Sequence, residues 1–137
     1  MNYWLLKSEP STYSFSKLVK EGKGTWDGVR NYGARNNLRA MKEGDLALFY
    51  HSNEGLEIVG IAEITKEAFP DPTFDGDRWS AVEVVAVKSL NRPVTLTEIR
   101  NTPKLKDMVL VNNTRLSVQP VTAKEWSLIL EMSGTEI

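Results

Sequence analysis

Apolar residues in this chain fall into short blocks separated by turn-forming residues, and the spacing inside each block predicts its secondary structure. Tyr3 to Lys7 is a nearly unbroken apolar run that Ser8-Glu9-Pro10 ends, because proline cannot continue a ladder, and it predicts a first strand. Ser14 caps a short helix that carries Phe15, Leu18 and Val19 inward and stops at Gly22. From about Asn31 to Ala40 the chain predicts a second helix, with Arg35 and Arg39 one turn apart on one face. Glu43-Gly44-Asp45 makes a turn, and strands follow at Leu46 to His51, Glu57 to Ala68 and Trp79 to Ser89. Ser52-Asn53-Glu54-Gly55 joins the first two of these as a hairpin, while Pro70 to Asp77 is a loop by composition. Thr95-x-x-Glu98 and Thr122-x-x-Glu125 have capping-box spacing and open helices from Leu96 to Asn101 and through Trp126, Ile129 and Leu130 to about Met132. Arg115 to Pro120 is a short strand between them.

The order β-α-α-β-β-β-α-β-α lacks regular βαβ alternation. It predicts an α+β fold, a small, mainly antiparallel β-barrel flanked by short helices. At 137 residues, with 41% hydrophobic and 26% charged residues and no low-complexity stretch, one domain over residues 1–137 with a real core is the expectation. The absence of cysteine excludes disulfides, thiolate nucleophiles and cysteine-based zinc sites. The opening Tyr3-Trp4-Leu5-Leu6-Lys7 is interrupted too soon for a signal peptide, and no apolar run is long enough to span a membrane. A cytoplasmic monomer with no membrane partner is the default expectation.

A net charge of −1 argues against a protein that coats nucleic acid through a broad basic surface. The distribution is less neutral: Arg30, Arg35, Arg39 and Lys42 stand against Asp27 alone, whereas Gly60 to Glu83 holds six acidic residues against Lys66 and Arg78. The segment Trp26-Asp-Gly-Val-Arg-Asn-Tyr-Gly-Ala-Arg-Asn-Asn-Leu38 adds aromatics and amides to that basic run. Two readings fit it. In one, Trp26 and Tyr32 offer stacking faces, the asparagine amides read a base edge and the arginines meet phosphate. In the other, Trp26 anchors a turn that opens an amphipathic helix, with Leu38 and Met41 packed inward and the arginines solvated.

Candidate chemistry elsewhere is sparse. Gly22-Lys23-Gly24-Thr25 lacks the spacing of a phosphate loop, and no carboxylate pair has the spacing of an acid-base couple or a metal site, so neither cofactor nor metal is expected. His51 is the only histidine, which leaves it as a binding or strand-end residue, a structural histidine, or a lone catalytic base. Trp4, Trp126, Phe15 and Phe49 sit in apolar segments and read as core. Trp26, Tyr32 and Trp79 have polar neighbours and are candidates for stacking, and Tyr50 fits either role.

Several long motifs in order resemble the EVE domain: Tyr3 to Pro10, Trp26 to Tyr32, Ala34-Arg-Asn36, Phe49-Tyr-His-Ser52 and Arg115 to Val121. The resemblance runs from the first residues to about Gly134. It implies a PUA-like barrel, grouped with PUA, ASCH and YTH domains, and a non-catalytic reader of nucleic acid whose modified base turns into an aromatic pocket. By analogy with YTH readers, Lys7-Ser8 and Trp26-Asp27, with Asn31 beyond, are the pocket counterparts. The resemblance implies Trp26 as wall, Ser8 and Asp27 as edge contacts, and Arg35 with Lys7 as phosphate attraction. Tyr32, Tyr50, His51, Trp79 and Gln119 complete the candidate set. Gly33 stands where the family often has glutamine, and the Phe74 to Trp79 loop is shorter than in many members. The enzyme alternative is a small nucleotide or nucleic-acid hydrolase with His51 and Asp27 as base and orienter. A third is a protein-interaction module built on the aromatic patch.

Overall fold

The computed structural model describes residues 1–137. Its strands are β1 (Tyr3–Ser8), β2 (Lys23–Trp26), β3 (Leu46–His51), β4 (Glu57–Pro70), β5 (Ser80–Thr95) and β6 (Val118–Val121). Its helices are α1 (Phe15–Glu21), α2 (Tyr32–Ala40), α3 (Leu96–Arg100), α4 (Val109–Asn112) and α5 (Ala123–Ser133), with a 3-10 turn at Pro103–Leu105. One sheet runs β2-β5-β4-β3-β1-β6, antiparallel throughout except for the β1-β3 pair. The α+β class and the mainly antiparallel sheet match the expectation.

Both faces of this sheet are buried, which explains why β1 and β3 are continuously apolar instead of alternating. One face carries Leu6, Phe49, Ile64 and Val84 under Phe15 and Leu18 of α1 and Ala34 and Leu38 of α2. The other carries Leu5, Leu48, Ile61 and Val94 against Ile99 of α3, Leu110 of α4, and Trp126 and Ile129 of α5. Register shifts at four points along the β4-β5 pair bend the longest hairpin and curl the sheet around the first cluster. Helix α2 then spans the open side. Asn37 Nδ2 donates to the Val118 carbonyl of β6 at 2.7 Å, and Arg39 Nε donates to Ser80 Oγ of β5 at 2.9 Å.

The local signals explain the helix limits. Ser14 Oγ accepts from the Lys17 amide and Asn31 Oδ1 from the Ala34 amide, so Asn31 stands just outside α2 as its cap. Both capping boxes form, and Gly134, left-handed at φ 65°, ends α5. Four expectations are corrected. β2 stands where the sequence predicts no element, because a four-residue strand with one buried side chain shows no alternation. β5 extends beyond Ser89 through Pro93, where residues 90–93 bulge between the Gly60-Ser89 and Ile58-Val94 pairs. β6 begins at Val118, three residues later than Arg115, and Val19 is half exposed because α1 ends before completing a second buried stripe.

Gly60 lies directly beneath the Phe15 ring, where a methyl group would overlap the ring atoms. Gly60→Ala is expected to destabilise the protein by about 1–3 kcal/mol. Thermal melting should show a fall of roughly 3–12 °C, and an unchanged melting temperature would show that Phe15 can move aside freely.

Candidate functional site

The C-terminal ends of β1 and β2 and the chain just before β6 meet around a cavity of about 520 Å³. This is within the range of small-ligand pockets. Lys7 and Ser8 come from β1, Tyr13 from the segment before α1, Trp26 from β2, Asp27 to Arg30 from the loop that follows, and Ser117 from the approach to β6. Of the residues expected at a site, the structure brings together Lys7, Ser8, Trp26 and Asp27.

Trp26 is not the open loop residue expected of it. It ends β2, is only 8% exposed, and stands edge-on to Phe49 at 5.4 Å and to Tyr13 at 6.2 Å between ring centroids. Truncating it would remove core, at about 3–5 kcal/mol. The second aromatic wall is Tyr13, half-buried, whose carbonyl accepts a hydrogen bond from Ser8 Oγ at 2.6 Å. Burial, reinforced by Glu21, pushes the Tyr13 phenol up to about 12, so its ring stays neutral. Because Ser8 spends its proton on that carbonyl, its oxygen can only accept from a ligand.

Asp27 is exposed at the cavity edge. Partial burial and then the charge of Asp71 raise its pKa, against the pull of its own backbone amide and of Arg30. Lys7 Nζ donates to the Thr114 carbonyl at 2.7 Å, and burial lowers its pKa.

The loop that carries Asp27 is held by a residue outside the candidate set. The Asp71 side chain, fully buried in the β4-β5 connection, accepts from the Gly28 amide at 2.8 Å and from Arg30 Nη1 at 2.9 Å on one oxygen. Its other oxygen accepts from the Thr73 amide and hydroxyl at 2.7 and 2.6 Å. Burial alone would raise its pKa. The Thr73, Arg30 and Gly28 hydrogen bonds outweigh burial and hold the carboxyl at about 2. Gly28 has φ 75°, a left-handed conformation that suits glycine and turns its N–H onto this carboxylate. The spacing Asp71-x-Thr73, typical of a side-chain-closed turn, is the signal that points to it.

The remaining candidates lie elsewhere. Asn31 is the cap of α2. Tyr32 and Trp79 stack at 5.0 Å, with the Arg35 guanidinium 4.8 Å over Tyr32 and that of Arg30 over Trp79 at 5.6 Å. Arg35 also donates to the Arg78 carbonyl at 3.1 Å, so this ladder ties the β4-β5 loop to α2 beside the cavity. Tyr50 is 2% exposed and borders a different groove. His51 is corrected from a binding candidate to a structural one: its Nε2 accepts from the Phe15 amide at 3.1 Å, at the start of α1. Burial lowers its pKa against the opposing charge of Glu57 and favours that neutral acceptor form. Gln119 is likewise internal, fully buried, with Nε2 donating to the Asn113 and Leu116 carbonyls.

Asp71→Asn is expected to cost about 3 kcal/mol at neutral pH by breaking a buried pair. The folded carboxyl is depressed, so its stabilisation is complete above about pH 4 and is lost as pH falls through about 2. Denaturant unfolding of both proteins should show their difference narrowing across that window. A difference that stays constant into acid would assign the loss to packing instead of charge.

Residues 2–132 match the family model described as the EVE domain. Thymocyte nuclear protein 1 of Mus musculus is 41% identical over 169 aligned positions, covering 98% of this chain and 75% of its own length. An NMR structure of a Rhodopseudomonas palustris protein is 51% identical with a TM-score of 0.94, covering 98% of this chain and 94% of that one. The human THYN1 protein, solved in complex with DNA containing 5-methylcytosine, is 36% identical with a TM-score of 0.93 and covers both chains completely. A Zygosaccharomyces rouxii YTH domain, solved with N6-methyladenosine RNA, is 20% identical with a TM-score of 0.60 over 96% of this chain and 86% of its own, a likeness of fold alone. The barrel is thus PUA-like, and the chain belongs to the EVE domain family.

Proposed function

We propose that this protein is a non-catalytic reader of a modified base in nucleic acid, and that the base turns out of its stack into the cavity between β1 and β2. The carrying observation is the cavity itself, where an aromatic corner of Trp26 and Tyr13 stands beside Ser8 and Asp27. Stacking in such a corner contributes about 1–3 kcal/mol per base. The human relative's complex with DNA containing 5-methylcytosine supports the same class of ligand.

The polar edge narrows the class further. Ser8 Oγ and an ionised Asp27 both act as acceptors, so they complement a base edge that presents N–H groups, above all an exocyclic amine. Cytosine, adenine and guanine carry one and thymine does not. Val29, buried at the same wall, supplies apolar surface for a methyl group. Lys7 and Arg30 give the cavity a positive rim for the backbone. A hydrolase reading loses its base here, because His51 is absent from the cavity lining and its Nε2 is engaged by α1.

Asp27→Asn is expected to reduce the preference for a modified over an unmodified oligonucleotide by about tenfold, the scale of one hydrogen bond to a charged group. Arg35→Ala, whose guanidinium lies outside the cavity, should change both affinities by the same small factor. Fluorescence anisotropy at fixed salt, with oligonucleotides differing in a single base modification, measures both. Equal affinity for every modification would leave only a general nucleic-acid binder. A changed ratio in Arg35→Ala with none in Asp27→Asn would move the base to the Tyr32-Trp79 ladder.

A further inference from the structure

The base cavity continues past the end of β1. Lys7, Glu9 and Ser117 line it on one side and, on the other, line a second groove of about 400 Å³. Successive residues on a strand point to opposite faces, so Lys7 and Ser8 can serve different sides of one wall. The second groove has an apolar floor of Tyr50, Leu96 and Leu110 beneath a polar rim that includes Ser52 and Asn53.

Its lip is unusual. Leu56 is 43% exposed and holds φ 45°, a left-handed conformation that a leucine rarely adopts, and its carbonyl is pinned by the Leu96 amide at 2.8 Å. Strain of this kind gathers at ligand sites. The hairpin tip that bears Leu56 hangs from the base cavity, because the Ser52 amide donates to the Ser8 carbonyl at 2.9 Å. Between the two depressions the Lys7 ammonium spends one N–H on the Thr114 carbonyl, which leaves two for an anion.

We propose that the second groove is a subsite for the base adjacent to the modified one on the same strand, with Lys7 meeting the phosphate that links the two nucleotides. An apolar floor under a polar rim suits a flat heterocycle, and Lys7, the one cation on the wall that it shares with Glu9 and Ser117 between the two depressions, is placed to meet the single charge that links two nucleosides. The subsite rests on the modified-base reading and makes the protein a reader of a dinucleotide step.

The test uses labelled single-stranded DNA pentamers with 5-methylcytosine or N6-methyladenine at the centre and an abasic residue on the 5′ side, the 3′ side or neither. The matching free methylated nucleoside monophosphates are run beside them. An abasic residue on one side should weaken binding about tenfold, and on the other side hardly at all. Leu56→Asn, which keeps a residue tolerant of the left-handed backbone, should bind the intact pentamer several-fold more weakly, lose the abasic penalty and bind the free monophosphate as before. Binding of monophosphate and pentamer with no abasic effect on either side, or a penalty that persists in Leu56→Asn, overturns the subsite alone. If neither monophosphate nor pentamer binds, the base-reading falls and the subsite falls with it.

Discussion

The buried carboxylate of Asp71 is the interaction on which the rest of the site depends. It belongs to the β4-β5 connection, yet its partners Gly28 and Arg30 belong to the loop after β2, so it fixes two segments more than forty residues apart. Without it, the backbone of the loop that presents Asp27 would lose its hydrogen bond at Gly28 and keep the packing of Val29 and the cap of α2 at its far end. Burial first and then the charge of this same carboxylate raise the proton affinity of Asp27, so Asp71 acts on the electrostatics of the cavity edge as well as on its shape. Arg30 extends the clamp outward, since its guanidinium also lies between Phe74 and Trp79 at 5.4 and 5.6 Å from their ring centroids. Support of this kind lets a polar loop hold a defined geometry, as selective hydrogen bonding requires.

The barrel places the site by simple geometry. β1 lies between β3 and β6, paired on both edges, so its backbone is among the best restrained in the fold, and Lys7 and Ser8 stand at its last two positions. α2 closes the open side and sets where the loop from β2 must end. The α1 start is fixed by His51, whose ring also stands edge-on to Phe49, which in turn backs Trp26. The aromatic corner of the cavity is therefore the outermost layer of the hydrophobic core, stiffened from behind by residues that do not line the cavity.

Much of this fold was legible in the sequence because its signals are local. Capping boxes at Thr95 and Thr122, the cap at Ser14, the hairpin after His51 and the apolar runs of β1 and β3 each act over a few residues. β2 was hidden because four residues with one buried side chain carry no period. The site was legible in outline, through Lys7-Ser8 and Trp26-Asp27, and was misread in its details. Trp26 has polar neighbours in sequence but packs on Phe49 through the sheet. Tyr13 became a wall only when β1 and β2 came together, and Asp71 acquired its role only from partners on a distant loop. His51 and Gln119 carry chemistry suited to binding, and tertiary structure spends it on holding a helix start and a turn.

The most direct test of this account is the map of amide chemical-shift changes when isotope-labelled protein is titrated with an oligonucleotide bearing one methylated cytosine or adenine, compared with its unmodified twin. The difference between the two maps isolates the base from the backbone. It should centre on Ser8, Tyr13, Trp26, Asp27 and Gly28, with smaller changes reaching Asp71 through its hydrogen bond to Gly28. A difference map concentrated on the Tyr32-Trp79 ladder or on α5, or no difference at all, would contradict it.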